Sequence, residues 1–166
     1  MEIKFGVYAL AALIPVVLRL IWYNPKVFGT AWMEATGLTK ADTKKGNMAV
    51  MLIVSYVFSL LLAFFMQFLV IHQAHLISIL MEEPGFGEAG STVQNLYESL
   101  MANYGKNFRT FGHGAFHGVI DAIFFVLPIL GTNALFEQKG FKYIAVNVGY
   151  WIVCLALIGG VVCQFA

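Results

Sequence analysis

Along the chain, long apolar runs are separated by short clusters of charge, glycine and proline. About 20 apolar residues, rising about 1.5 Å each, cross a hydrocarbon core about 30 Å thick. Four runs reach that length: Phe5 to Tyr23, a second beginning at Asn47, a third from about Phe108 to Leu130, and a fourth from Tyr143 to Phe165. The pattern predicts an all-α integral membrane fold, residues 1–166 forming a single domain of four transmembrane helices. The first run lacks a clear small-x-small cleavage site and more spans follow it, so it reads as a retained helix and not a secretory signal.

The second run is too long for one span. Residues 46–81 contain no Asp, Glu, Lys or Arg, and as one helix they would extend about 54 Å. The helix must either tilt and protrude or break after about Leu69, and both leave His72 and His75 at or beyond the membrane surface. In the following loop Pro84, Gly85, Gly87 and Gly90 interrupt the chain. Ser91 with Gln94 three residues on then has the pattern of a capping box. It predicts a short amphipathic helix to about Asn103, with Leu96, Leu100, Met101 and Tyr104 on one side.

Composition agrees with a lipid solvent: 60% of residues are hydrophobic and 11% charged, and the mean hydropathy is +0.78. A soluble fold of this size would lack polar surface to cover itself. A net charge of +1 without a basic block gives no footprint for nucleic acid. Orientation follows the placement of lysine and arginine. Lys26, Lys40, Lys44, Lys45, Lys139 and Lys142 follow helices one and three, whereas Lys4, Lys106 and Arg109 lie on the other side. The expected location is a bacterial inner membrane with both termini outside the cytoplasm.

Resemblance enters at "IWYNPKVFGTAWMEATGL", residues 21–38. A Trp-Tyr-x-Pro-x-x-Phe-Gly-x-x-Trp string directly after a first membrane helix resembles the bacterial domain-of-unknown-function family numbered 1761. "NALFE" at 133–137 and "GYW" at 149–151 add to the likeness. The resemblance covers most of the chain and implies a small four-span membrane protein, with no activity to carry over. The outer loop and the third-helix histidines are not parts associated with it. Read physically, Trp22 and Tyr23 are interfacial rings, Pro25 stops the helix, and Gly29 lets Phe28 and Trp32 turn back into the interface. Asn133 and Glu137 read as residues closing the end of helix three.

The third run holds the candidate chemistry. In "FGHGAFHGVIDAIF", residues 111–124, His113, His117 and Asp121 share one helical stripe, about 12 Å long. Ionisable groups at that depth face protein or water. Arg19, at a similar depth on helix one, is the expected counter-charge of Asp121. The same four residues form a candidate proton or ion path. His72 and His75, three apart at the end of helix two, make with His113 and His117 a candidate zinc or copper site of nitrogen ligands. Gly114, Gly118 and Ala122 form a ridge of small residues suited to close packing on helix one or on a second copy, and Gly159 and Gly160 offer another such contact.

Other chemistry finds no support. No serine, cysteine or lysine nucleophile stands beside a base, and haem ligation is not favoured by any spacing. Cys154 and Cys163, nine apart, point to opposite faces of helix four and cannot bridge each other. The functional expectation is therefore a non-catalytic subunit or homo-oligomeric component of the membrane, in a larger complex or with copies of itself. Its rival is a small proton or transition-metal carrier or channel. A metal-dependent membrane hydrolase is a remote third.

Overall fold

A computed structural model describes residues 4–166, with the side chain of Lys44 outside the described set. The chain is helical throughout, and four helical stretches are long and apolar enough to span a membrane: Phe5–Trp22, Met48–Val70, Phe111–Phe136 and Phe141–Phe165. This is a multi-pass membrane architecture. Both described ends of the chain, and the loop joining the second and third spans, lie at one end of the bundle, here called the termini side.

The spans are not uniform rods. The first divides into α1 (Phe5–Ala11) and α2 (Leu13–Trp22), because Pro15 has no N–H to return to the carbonyl of Ala11 and its ring crowds that turn. After a tight turn, α3 (Gly29–Thr36) forms the elbow expected from the aromatic motif. The second span, α4 (Met48–Val70), begins where Asn47 accepts a hydrogen bond from the Val50 N–H at 3.2 Å. It breaks at Ile71 and His72, and a short α5 (Gln73–Leu80) follows. Of the two ways to place the overlong apolar run, the chain adopts the break.

The predicted loop helix is α6 (Thr92–Tyr104). Ser91 Oγ accepts from the Gln94 N–H at 3.1 Å, as a cap should. The reciprocal half of the capping box is absent: Gln94 Oε1 accepts from the Gly87 N–H at 3.0 Å and its amide donates to Glu98. The third span starts with α7 (Phe111–Asp121), capped by Thr110, passes through a π turn at Ala122–Val126, and ends as α8 (Leu127–Phe136). Pro128 cannot donate to Phe124, so the widened turn absorbs the missing bond. At the far end of α8 the Glu137 N–H reaches the Asn133 carbonyl at 2.9 Å.

The fourth span, α9 (Phe141–Phe165), is the core. Cys154, Ile158, Val162 and Cys163 are fully buried, and the first, second and third spans all pack on this helix. By contrast Ile53, Phe58, Leu61 and Phe65 on α4 are exposed. Apolar exposure along one face suits a helix whose outer neighbour is lipid.

The third and fourth spans approach most closely. A methyl group built on Gly114 would lie 2.1 Å from the Gly159 carbonyl oxygen, and one on Gly118 2.1 Å from that of Leu155. Buried Ala122 continues the ridge. The small-residue ridge therefore serves α9 within the chain, not helix one or a second copy as the sequence suggested. Helix four competes for it with a complementary gap at Gly159, which lets two backbones touch.

Candidate metal-binding site

The termini-side end of the bundle gathers three imidazoles. His113 and His117 stand one turn apart on α7, and the break after α4 turns His72 over them. The three side chains offer ligand atoms that all lie within 4.8 Å of one another. Nε2 of His72 and Nε2 of His113 are 2.8 Å apart, and the ring centroids of His113 and His117 are 4.6 Å apart. His72 is exposed and the other two are half-buried, so the group is open to the aqueous side.

His75 does not join them. The backbone at Ile71 is extended (φ −109, ψ 97), and the new helix α5 points His75 to solvent. The four-histidine site expected from spacing is therefore a three-histidine site, because His72 and His75 do not share one continuous helix face.

Asp121 lies one turn beyond His117 on the same stripe. It is buried, at 8% relative exposure, and its Oδ2 has no hydrogen-bond partner among the described residues. The π turn begins at the next residue. The expected ion pair with Arg19 does not form: Arg19 is exposed, its guanidinium sits 5.4 Å from the centroid of the Tyr23 ring, and among the described residues no carboxylate pairs with it. Helix four stands between the first and third spans, so the two residues face different neighbours.

At the other end, the aromatic motif folds back on helix four. Trp22 Nε1 donates to the Val146 carbonyl at 3.1 Å, and the Tyr23 hydroxyl donates to Asn147 Oδ1 at 2.8 Å. Phe28 lies on Trp22 with ring centroids 4.4 Å apart, and Trp32 meets Tyr23 edge-on at 5.5 Å. A methyl group on Gly149 would lie 3.2 Å from the Trp22 ring, and Tyr150 donates to the Pro15 carbonyl at 2.7 Å. Gly29 is required by space, since a methyl group there would lie 2.2 Å from the Tyr23 carbonyl oxygen. Burial pushes the Tyr23 phenol up to about 12, so it remains a donor at any ordinary pH. The elbow motif, Pro25 included in its turn, and "GYW" are thus two halves of one clasp.

The model of a family described as a protein of unknown function, DUF1761, matches residues 7–163. The chain belongs to the DUF1761 family. The matched span takes in the clasp, the loop before α7 and the three histidines. Neither the curated proteins nor the solved structures contain a match.

In this DUF1761 chain three residues that sequence reasoning passed over position the histidines. Cys163 places its Sγ 3.2 Å from the Val70 carbonyl and 3.3 Å from that of Phe108, joining the two segments that carry the site. Gln73 is buried and donates to the carbonyls of Tyr104 and Asn107 at 3.2 and 2.9 Å. Phe108, at φ 60, turns the chain into α7 and sets its ring against His72 and His113. Gln73, one of two glutamines in the charge-free run, was the available signal. Arg109 then fixes the fourth helix, Nε donating to the Cys163 carbonyl at 2.8 Å and the guanidinium also reaching the Ala166 carbonyl, a cation at a helix C-terminus.

Proposed function

We propose that this chain is a multi-pass protein of the bacterial inner membrane, termini outside the cytoplasm, that binds one transition-metal ion through His72, His113 and His117. The observation that carries the reading is the convergence of three imidazole nitrogens within 4.8 Å. Neutral imidazole suits zinc and copper. Bonds of about 2.0–2.1 Å to a tetrahedral zinc set nitrogens about 3.3 Å apart. The close His72–His113 pair has to open by about half an ångström, which the exposed His72 ring can do. A fourth position would remain for water or an exchanging ligand.

The role we favour is a binding component, since the sequence offers no serine, cysteine or lysine nucleophile beside a base. Four spans closed around α9 also leave little room for a lumen, which favours a subunit of a larger assembly or a homo-oligomer. Elemental analysis of protein purified after zinc or copper loading tests the site. About one ion per chain is expected, lost in His113→Ala/His117→Ala and kept in His75→Ala; no bound metal in the unaltered protein would sink the reading.

One observation favours a second reading, a proton or metal-ion carrier: Asp121, one turn inward from His117, is buried and its Oδ2 has no partner among the described residues. A buried polar atom without a partner is costly, and such sites within membranes mark ion or proton steps. In proteoliposomes the carrier reading expects Asp121→Asn to abolish metal-dependent or pH-gradient-dependent flux; unchanged flux would reject it.

A further inference from the structure

The opposite end of the bundle holds a site of different chemistry, independent of the histidines. Between the end of α2, the elbow helix α3, residues 38–46 and the start of α4 lies a cavity of about 510 Å³, within the range of small-ligand sites. Its walls are mainly apolar, including Leu20, Trp32, Met33, Met51 and Leu52. Its charged lining groups are Arg19, Lys40 and Asp42.

The charges are not balanced by one another. Lys45, at 2.6 Å, and Thr39, whose hydroxyl and N–H both reach it, engage the Asp42 carboxylate and hold it down at about 2. Among the described residues, the Tyr23 ring is the one neighbour found for the Arg19 charge. It lies three residues inside the end of an apolar span, about 4.5 Å below that end. A guanidinium at such a depth is costly alone and seeks an anion or the headgroup layer.

We propose that this cavity binds one anionic phospholipid, its phosphate on the Arg19 guanidinium and part of an acyl chain against the apolar wall. A charged entrance over an apolar wall fits an amphiphile, whereas a small hydrophilic anion would leave the wall in contact with water. Arg19 presents a planar fork suited to phosphate oxygens. Lys26, Lys40, Lys139 and Lys142 belong to the same end of the bundle, and basic pockets between membrane helices recognise lipid headgroups.

The full chain in neutral detergent is titrated with phosphatidylglycerol, phosphatidylethanolamine or inorganic phosphate, following lipid occupancy by native mass spectrometry and the thermal unfolding midpoint. One phosphatidylglycerol is expected to bind and raise the midpoint, with phosphatidylethanolamine and inorganic phosphate ineffective. Arg19→Gln should weaken binding by about tenfold or more, Arg19→Lys less, and Lys106→Gln, at the opposite end of the bundle, not at all. Ser55→Phe fills the cavity from α4 without changing charge and should also abolish occupancy. Equal binding of the two lipids, a phosphate effect that matches the lipid effect, or unchanged affinity in folded Arg19→Gln or Ser55→Phe protein would overturn the proposal.

Discussion

Two backbone torsions decide whether His72 is a site residue. With Ile71 extended, the chain leaves the α4 axis and the imidazole falls over His113. His75, three residues later, is carried away from the group. The residue-scale prediction is therefore unequal. His117→Ala should weaken zinc binding by more than about 100-fold, the upper effect of disturbing a ligand's supporting shell, and His75→Ala should leave it unchanged; calorimetric titration of the detergent-solubilised protein reads both. Ligation needs neutral imidazoles, which ordinarily titrate near pH 6.5. Binding should consequently fall as pH drops from about 7.5 to about 5.5, and the same titration repeated at each pH measures it.

At the scale of elements, the contact between α7 and α9 is a junction of backbones. Gly118 faces the Leu155 carbonyl so closely that even one methyl group does not fit, whereas a methyl on Gly112 would meet nothing within 4 Å. Gly118→Ala should cost about 1–3 kcal/mol through overpacking. Gly112→Ala should be neutral or stabilise by about 0.5–1 kcal/mol through helix propensity. Reversible unfolding in mixed detergent micelles would compare them, and equal stabilities would refute the junction. Because α7 carries two of the three histidines and Cys163 of α9 touches both flanking segments, the Gly118 variant should weaken zinc binding as well.

At the scale of the whole molecule, the bundle has two chemically different ends held apart by one central helix. Histidines gather at the termini side, while the clasp, most lysines and the Arg19 cavity lie opposite. The lysine asymmetry underlies our proposal that the lysine-rich end faces the cytoplasm. Cysteine variants at Lys26 and Glu98 test this with a membrane-impermeant maleimide on intact spheroplasts, since Cys154 and Cys163 are buried. Reagent should reach position 98 and not position 26; the reverse result would invert the topology and place the histidine cluster in the cytoplasm.

Some of this was legible in the residues alone. The four spans, the capped loop helix and the elbow follow from local signals: apolar length, Ser91 before Gln94, and Pro25 with Gly29. Each acts within a few residues, so no long-range information is needed. The stripe of His113, His117 and Asp121 was equally plain, because helical periodicity alone aligns it. Which neighbour each stripe meets was not. Arg19 and Asp121 were expected to meet but lie on spans separated by α9, and the glycine ridge faces Gly159 instead of a second copy. His75 drops out because the break, expected after about Leu69 and found at Ile71, redirects the chain in a way that apolar length does not set. A sequence sets depth and period along each helix, whereas rotation about the helix axis is fixed only when all four helices pack, and that rotation decides which ionisable groups meet.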